Sequence, residues 1–379
     1  MLSKGFEIEV YTGTPNGDIV GLSDRIVADL EGFIREPDSR NVEYTTAPSY
    51  RYERSLLDLL QPRATLRDYL KPDGYTLIPG STLPLAGSAN RFWRSDPENP
   101  YHTYIEQTYG TKVVTASVHI NLGVSDPDVL MRLCRLVRVE APLYLALSAS
   151  SPFFNGDITG SHSTRWSVFP QTPAFVPLFT SHQTFIQWTE EQLRLGTMQN
   201  VRHLWSSVRP NGDRRPYILN RLEMRICDLV SNPIDLLAIT ALLEARLIQA
   251  MENPDLDPLV MSELPIASRG TDLVTMASEN ELLAAKSSLD STLTHWQTGK
   301  PIVARDWIQS LYEEVWPTAK QEGFSCFLLP IKKILREGNE SMRWIQLSNQ
   351  GWSREQVIEY AIDNMKTQEM SLRSEVSLP

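Results

Sequence analysis

Little in this chain points to cross-linking, a membrane or nucleic acid. Its three cysteines, Cys134, Cys227 and Cys326, are too few and too scattered for a disulfide framework, and no CxxC pair occurs. The six histidines fall in no HExxH or other zinc spacing. A reducing cytoplasm is therefore the expected compartment. No run of eighteen apolar residues is present, so no membrane span is expected. The opening residues lack the basic stretch and apolar core of a secretory signal. Positive charge is also short, with 36 Lys and Arg against 46 Asp and Glu, a net charge of −10. A general nucleic-acid binder needs a basic footprint, so that class is set aside. No glycine-rich turn joins a strand to a helix, which removes the main support for a Rossmann or P-loop reading. No Ser-His-Asp or Cys-His pattern suggests a protein nucleophile.

What is present suits a large folded core: 41 % of the residues are apolar and 22 % charged. To about residue 228, short strand patterns alternate with helical ones. "LSDRIVADLEGFIRE" reads as one helix, with Ile26, Leu30 and Phe33 on a stripe and Ser23 as its cap. "RNVEYTTAP", "TKVVTASVHINLGV" and "PYILNRLEMRICD" read as strands. "ERSLLDLLQPRATLRDYLK" reads as a helix interrupted at Pro62, and "DPDVLMRLCRLVRVEAPLYLAL" as a helix opened by Asp-Pro. From about residue 232 the pattern is almost wholly helical: "PIDLLAITALLEARLIQAME", "ENELLAAKSSLDSTLTHW", "ARDWIQSLYEEVWPTAKQ" and "SREQVIEYAIDNM". Trp296, Trp307 and Trp316 read as core in this part, and "SLRSEVSLP" as a frayed end. The sum is an α+β fold with a largely antiparallel sheet, residues 1–379 forming a single domain in which 232–379 is a mostly helical part packed on the rest.

The polar strand faces carry the chemistry. In "GFEIEV", Glu7 and Glu9 share one face, roughly 6.5–7 Å apart, with nothing nearby in sequence to neutralise them. Thr115, Ser117, His119 and Asn121 share a face in the third strand pattern, as do Arg221, Glu223 and Arg225 in the fourth and Asn41, Glu43 and Thr45 in the second. A half-exposed strand with a solvated side accounts for any one of these. Together they hold four glutamates, a histidine, an asparagine and arginines, but no lysine. If they line one surface, the carboxylates call for a hard divalent cation such as Mg²⁺, shared with substrate phosphate, and Arg225 suits that phosphate as a planar fork. His119 alone would read as structural, and Cys227 as a packed thiol rather than a redox one. The stretch "SASSPFFNGDITGSHSTRWSVFP" reads as a ligand-approaching loop, with Arg165 as an anion clamp, or as an ordinary surface connection.

Five segments in order, "GFEIEV", "VEYTTAP", "SVHINLGVSDPDVL", "SASSPFFNGDITGSHSTR" and "LNRLEMRICD", resemble the carboxylate–amine ligases of the glutamate–cysteine ligase family, closest to the cyanobacterial group. The resemblance covers roughly residues 5–228. It implies a glutamine-synthetase-like fold, a curved antiparallel sheet with helices on its convex side and ATP and Mg²⁺ on its concave face. It further implies that Glu7, Glu9, Glu43, His119 and Glu223 are metal-site positions, that Arg225 contacts phosphate, and that Arg165, with Asn121, binds substrate. The implied reaction joins the γ-carboxylate of L-glutamate to the amine of L-cysteine through a γ-glutamyl phosphate, the first step of glutathione biosynthesis, with small-molecule partners only. A different amine acceptor within the family, a metal-dependent hydrolase and a catalytically silent binding protein are the alternatives.

Overall fold

A computed structural model describes residues 1–375. Its strands are β1 (Lys4–Gly13), β2 (Phe33–Arg35), β3 (Asn41–Thr45), β4 (Thr76–Ile78), β5 (Val118–Gly123), β6 (Phe153–Phe154), β7 (Asp157–Ile158), β8 (Val208–Asn211), β9 (Arg221–Met224), β10 (Thr292–Thr294) and β11 (Pro301–Val303). Seven of them form one antiparallel sheet in the order β2-β3-β1-β5-β9-β8, with β4 added to β1. Pleating sends Phe6, Ile8 and Val10 of β1, Val118, Ile120 and Leu122 of β5, and Leu222 and Met224 of β9 to one face, where all are buried. Two long helices, Pro127–Ser148 and Pro233–Glu252, lie in the core on that side; the second is apolar on nearly every face, as a fully enclosed helix must be. One continuous apolar cluster runs from Phe6 to Met365 and takes in both the sheet and the C-terminal helices.

The core helices carry buried charges, and these are paired. Arg246 meets the Glu140 carboxylate in a two-pronged pair at 2.6 and 3.0 Å. Arg138 pairs with Glu281, and Arg135 with Asp257. Asp126 caps the first core helix by accepting from the Asp128 and Val129 N–H groups, as the Asp-Pro start predicts.

Several elements depart from the sequence pattern. The expected helix from Leu22 to Glu36 stops at Asp29, because Gly32 (φ +89°) turns the chain and Phe33–Arg35 joins the sheet as β2. Ser23 makes no cap bond there. The long strand predicted from Thr111 begins only at Val118, after a tight turn over Gly110–Val113. Pro62 does not interrupt Tyr52–Leu70, whose Leu59, Leu60 and Leu66 stay buried on one side; packing overrides the missing hydrogen bond. The helix predicted to reach Trp296 ends at Ser287, and its last residues form the β10–β11 hairpin instead. Trp296 and Trp307 are core, whereas Trp316 is half-buried. Residues 371–375 continue the final helix, and the rest of the expected frayed end lies outside the described residues.

The stretch 148–170 is no surface connection. Ser150, Ser151 and Ser163 are buried and converge on the Asp228 carboxylate through the Ser150 N–H at 2.9 Å and the Ser151 and Ser163 hydroxyls at 2.7 and 2.9 Å. This satisfies a fully buried acid that desolvation pushes above its ordinary range.

No helix among the described residues is long and apolar enough to cross a membrane. The thiols are free: Cys134 and Cys227 are buried and Cys326 is exposed. Burial pushes the Cys227 thiol up to about 12, so no reactive thiolate forms there. A thiol reagent should therefore label only Cys326 in the native protein and all three after unfolding. Fast native labelling of Cys227, read by peptide mass, would contradict this packing.

Candidate active site

The polar face of the sheet is the floor of a cavity of about 820 Å³. Register brings the expected residues together. Glu9 sits opposite Glu43, Glu7 opposite His119, and Asn121 opposite Glu223. Glu7, Glu9, Glu43, Thr115, Ser117, His119, Arg165 and Arg225 all line the cavity. Asn121 and Glu223 do not, although both are buried on the same polar face. Asn121 donates to Glu7 Oε1 and accepts from Arg221 Nε, each at 3.2 Å, so it links the acidic floor to the arginine side.

Two clusters of acids result. In the first, Glu7, His119 and Glu223 bring ligand-type atoms within 4.8 Å of one another. His119 Nδ1 donates to Glu7 Oε2 at 2.8 Å. Burial and nearby Glu223 push the Glu7 carboxyl upward, but His119 and Arg225 outweigh them and hold it below its ordinary value. Glu223 is saturated: its oxygens accept from Arg209 Nε and Nη2 (2.6 and 3.0 Å), Arg225 Nη1 (2.5 Å) and Asn211 Nδ2 (2.7 Å). A carboxylate has about four acceptor sites, so all are in use. Burial opposes its charge, yet Arg209 and Arg225 hold it well below the usual carboxylate range.

The second cluster is Glu9, Glu36 and Glu43, again with oxygens within 4.8 Å. Glu36 follows β2 and faces the same way as Ile34, which pairs with Glu43. Among the described residues, the nearby arginines Arg209 and Arg225 pair with Glu223 and not with this trio. Burial first, then Glu9 and Glu7, push the Glu43 carboxyl up to about 8; burial with Glu9 and Glu43 likewise raises Glu36 well above its usual range. Three converging oxygens short of positive charge fit a hard divalent cation. Glu36 is absent from the sequence reading, because the helical pattern around it hid β2.

The opposite wall is rich in arginine. Arg209, Arg215, Arg221 and Arg225 all line the cavity; the sequence reading put Arg221 and Arg225 on the polar face and missed Arg209 and Arg215. Arg209 lies on β8 opposite Glu223. Arg165 is more strut than free clamp: its guanidinium donates to the Arg225 and Ile226 carbonyls at 2.8 and 3.0 Å and stands 3.5 Å from Asp228. Trp166, Phe169 and Trp205 form an aromatic side wall.

The fold that carries this sheet is that of ligases of known structure. A glutamate–cysteine ligase of Francisella tularensis, solved with AMP, superposes with a TM-score of 0.72 at 14 % identity, over 99 % of this chain and 94 % of that one. A bifunctional glutathione synthetase of Pasteurella multocida gives 0.75 at 15 % identity over 97 % of this chain; the present chain spans 52 % of that protein. The chain belongs to glutamate–cysteine ligase family 2, whose sequence profile matches residues 3–363. A relative from Gloeobacter violaceus, named provisionally as glutamate–cysteine ligase 2, is 26 % identical over 303 residues, covering 78 % of this chain and 76 % of its own. One from Rubrobacter xylanophilus, also provisionally named, is 25 % identical and covers 90 % and 92 %.

Two predictions follow from the charges. Glu43 binds its proton in the folded protein up to about pH 8 and in the unfolded chain only to the ordinary 4.5. Between those values the native state holds the extra proton, so metal-free stability should fall as pH rises through this window. Melting curves should show that slope, and Glu43→Gln should flatten it. Glu223→Gln leaves Arg209 and Arg225 without their counter-charge, so it should cost on the order of 3 kcal/mol of metal-free stability. Unchanged denaturant midpoints would show that Glu223 serves only a bound cation.

Proposed function

We propose that the protein is an ATP-dependent ligase that joins the γ-carboxylate of L-glutamate to the amine of L-cysteine. The carrying observation is the juxtaposition, in one cavity, of a counter-charge-poor acidic trio and a carboxylate-poor arginine wall. Mg²⁺ with a nucleotide triphosphate carries both missing charges. Family membership supports the same reading. Glu9, Glu36 and Glu43 would hold a Mg²⁺, with Glu7 and His119 beside them; Glu223 belongs to the expected metal set but holds Arg209 and Arg225 in place. When bound, the cation neutralises charge on the phosphate oxygens.

A γ-carboxylate oxygen of glutamate attacks the terminal phosphorus, and the bond to ADP breaks as ADP leaves. The amine nitrogen then attacks the acyl carbon of γ-glutamyl phosphate; the C–O bond breaks, phosphate leaves, and the nitrogen loses a proton. Arg225 is placed to stabilise charge on the transferring group, since it lines the cavity and Glu223 fixes its fork. Burial opposes the charge on Arg225, and Glu223 and then Glu7 outweigh it and hold the guanidinium charged. Arg165 orients the backbone that carries Arg225. No protein nucleophile is required, as phosphoryl transfer rests on positioning and electrostatics. The reading places the protein in the cytoplasm at the first step of glutathione synthesis.

The test is coupled ADP release with glutamate and a panel of amino acids. Release should require Mg²⁺, glutamate and an amine, with cysteine best. Preference for another amine would keep the ligase and replace the acceptor; release indifferent to glutamate would sink the ligase reading. Arg225→Lys keeps the charge and loses the fork, so kcat should fall roughly 10²–10³-fold. The KM for the amine should hardly move, because that step follows phosphoryl transfer. Normal trapping of γ-glutamyl phosphate in this variant would move Arg225 to the acceptor step.

A further inference from the structure

Three arginines of the cavity wall, Arg209, Arg215 and Arg225, crowd around one buried carboxylate, Glu223. Arg209 takes two acceptor sites of Glu223 and Arg225 takes a third. Asn211 takes the last. Arg221 pairs with a different acid, Asp213, at 4.0 Å on the exposed rim, and donates to Asn121 and Asn220. Arg215 comes last in this sharing: its Nη1 stands 3.9 Å from Glu223, too far for a hydrogen bond. Its side chain is nonetheless 94 % buried by accessible area. It donates to Asn211 Oδ1 at 3.2 Å and to the Val201 carbonyl at 2.5 Å, while its Nε finds no acceptor. A buried guanidinium without a carboxylate of its own is costly, and a protein gains from burying one chiefly where an anion arrives.

We infer that Arg215, with Arg209 beside it, forms an oxyanion subsite of the cavity, distinct from Arg225, that receives a phosphate or carboxylate group of a ligand. Neutral partners hold Arg215 in place and leave its charge unmatched. Burial, and then repulsion from Arg209, push its pKa down to about 9, the effect expected of a cation short of counter-charge. The subsite lies where the β8–β9 connection meets the segment around Val201, so its geometry is set by two backbone stretches rather than by the acidic floor. Two ligand groups have the right chemistry: the phosphates of the nucleotide and the α-carboxylate of an amino-acid substrate. This inference rests on the proposed ligase for the choice of ligands, but not for the existence of the subsite.

The discriminating variant is Arg215→Gln in the full-length protein. Glu223 keeps its four hydrogen bonds in it, so the fold should persist. Removing one of three crowded positive charges should leave the ligand-free melting temperature unchanged or raised. A strut would behave oppositely and lower it. Binding is read by calorimetry with pyrophosphate, a non-hydrolysable ATP analogue and glutamate in turn. Loss of a hydrogen bond to a charged group predicts roughly 10- to 100-fold weaker binding of whichever ligand occupies the subsite. Weakening confined to pyrophosphate and nucleotide assigns it to phosphate; weakening confined to glutamate assigns it to a carboxylate. A clear drop in ligand-free melting temperature with all three affinities unchanged would overturn the subsite. Because these readings need no turnover, an inactive wild-type protein that still shows the Arg215 effect would remove the proposed reaction and leave the subsite standing.

Discussion

Glu223 sets the charge arrangement of the whole cavity. It is fully buried on the second strand from the sheet edge, and every acceptor site on its carboxylate is filled by Arg209, Arg225 or Asn211. Each partner is thereby fixed in direction. Arg209 and Asn211 belong to β8, so the same carboxylate also clips the edge strand to β9 from the polar side. Asp228, four residues after the end of β9, repeats the device: a buried acid gathers three serine donors and stands against Arg165, which in turn holds the carbonyls of Arg225 and Ile226. Two buried acids thus anchor one short segment of chain from both ends. Such anchors contribute more to uniqueness of geometry than to net stability, because desolvating an acid costs nearly what its pairing returns.

The part of this legible in the sequence is the part governed by the pleat. Alternation is a local property, so Glu7 with Glu9, Ser117 with His119, and Glu223 with Arg225 could be placed on common faces without knowing the fold. Register then brought those faces together, Glu9 to Glu43 and Glu7 to His119. The helical tail was legible for the same reason, since amphipathic periodicity is also local. The resemblance to glutamate–cysteine ligases rested on these segments, and the family match bears it out.

What was hidden depends on tertiary packing or on elements too short for periodicity. Glu36 sat inside an apparent helix; Gly32 was the available signal, a stop residue just before three residues that complete a strand. Arg209 and Asn211 alternate on "VRPN", but Pro210 argues against a strand except at a sheet edge, which is where β8 lies. Arg215 occupies a connection with no period at all. Asp228 looks like any strand-end aspartate until burial is known. Glu223 was correctly placed on the polar face, yet its immediate partners come from β8, which the sequence did not reveal.

The distribution of charge explains why a sheet can carry so many ionisable groups on one face. Beside Glu9, with no cation among them, Glu36 and Glu43 shed charge by keeping protons; the arginine wall has one buried carboxylate, Glu223, for several guanidinium groups, which stay charged because arginine is so strong a base. The two halves are therefore strained in opposite senses. Joining them directly would require salt bridges that fill the cavity, and the fold prevents this by fixing Arg209 and Arg225 on Glu223 and Arg165 on the backbone. A ligand carrying one sign of charge relieves one half only. On the proposed reading, a magnesium–nucleotide complex relieves both, so its binding is favoured by the unmatched charge that the empty protein tolerates. On the same reading that charge is conserved as groups move from ATP to glutamate, which would let the same residues serve ground state and transition state while the preorganised arginines favour the latter.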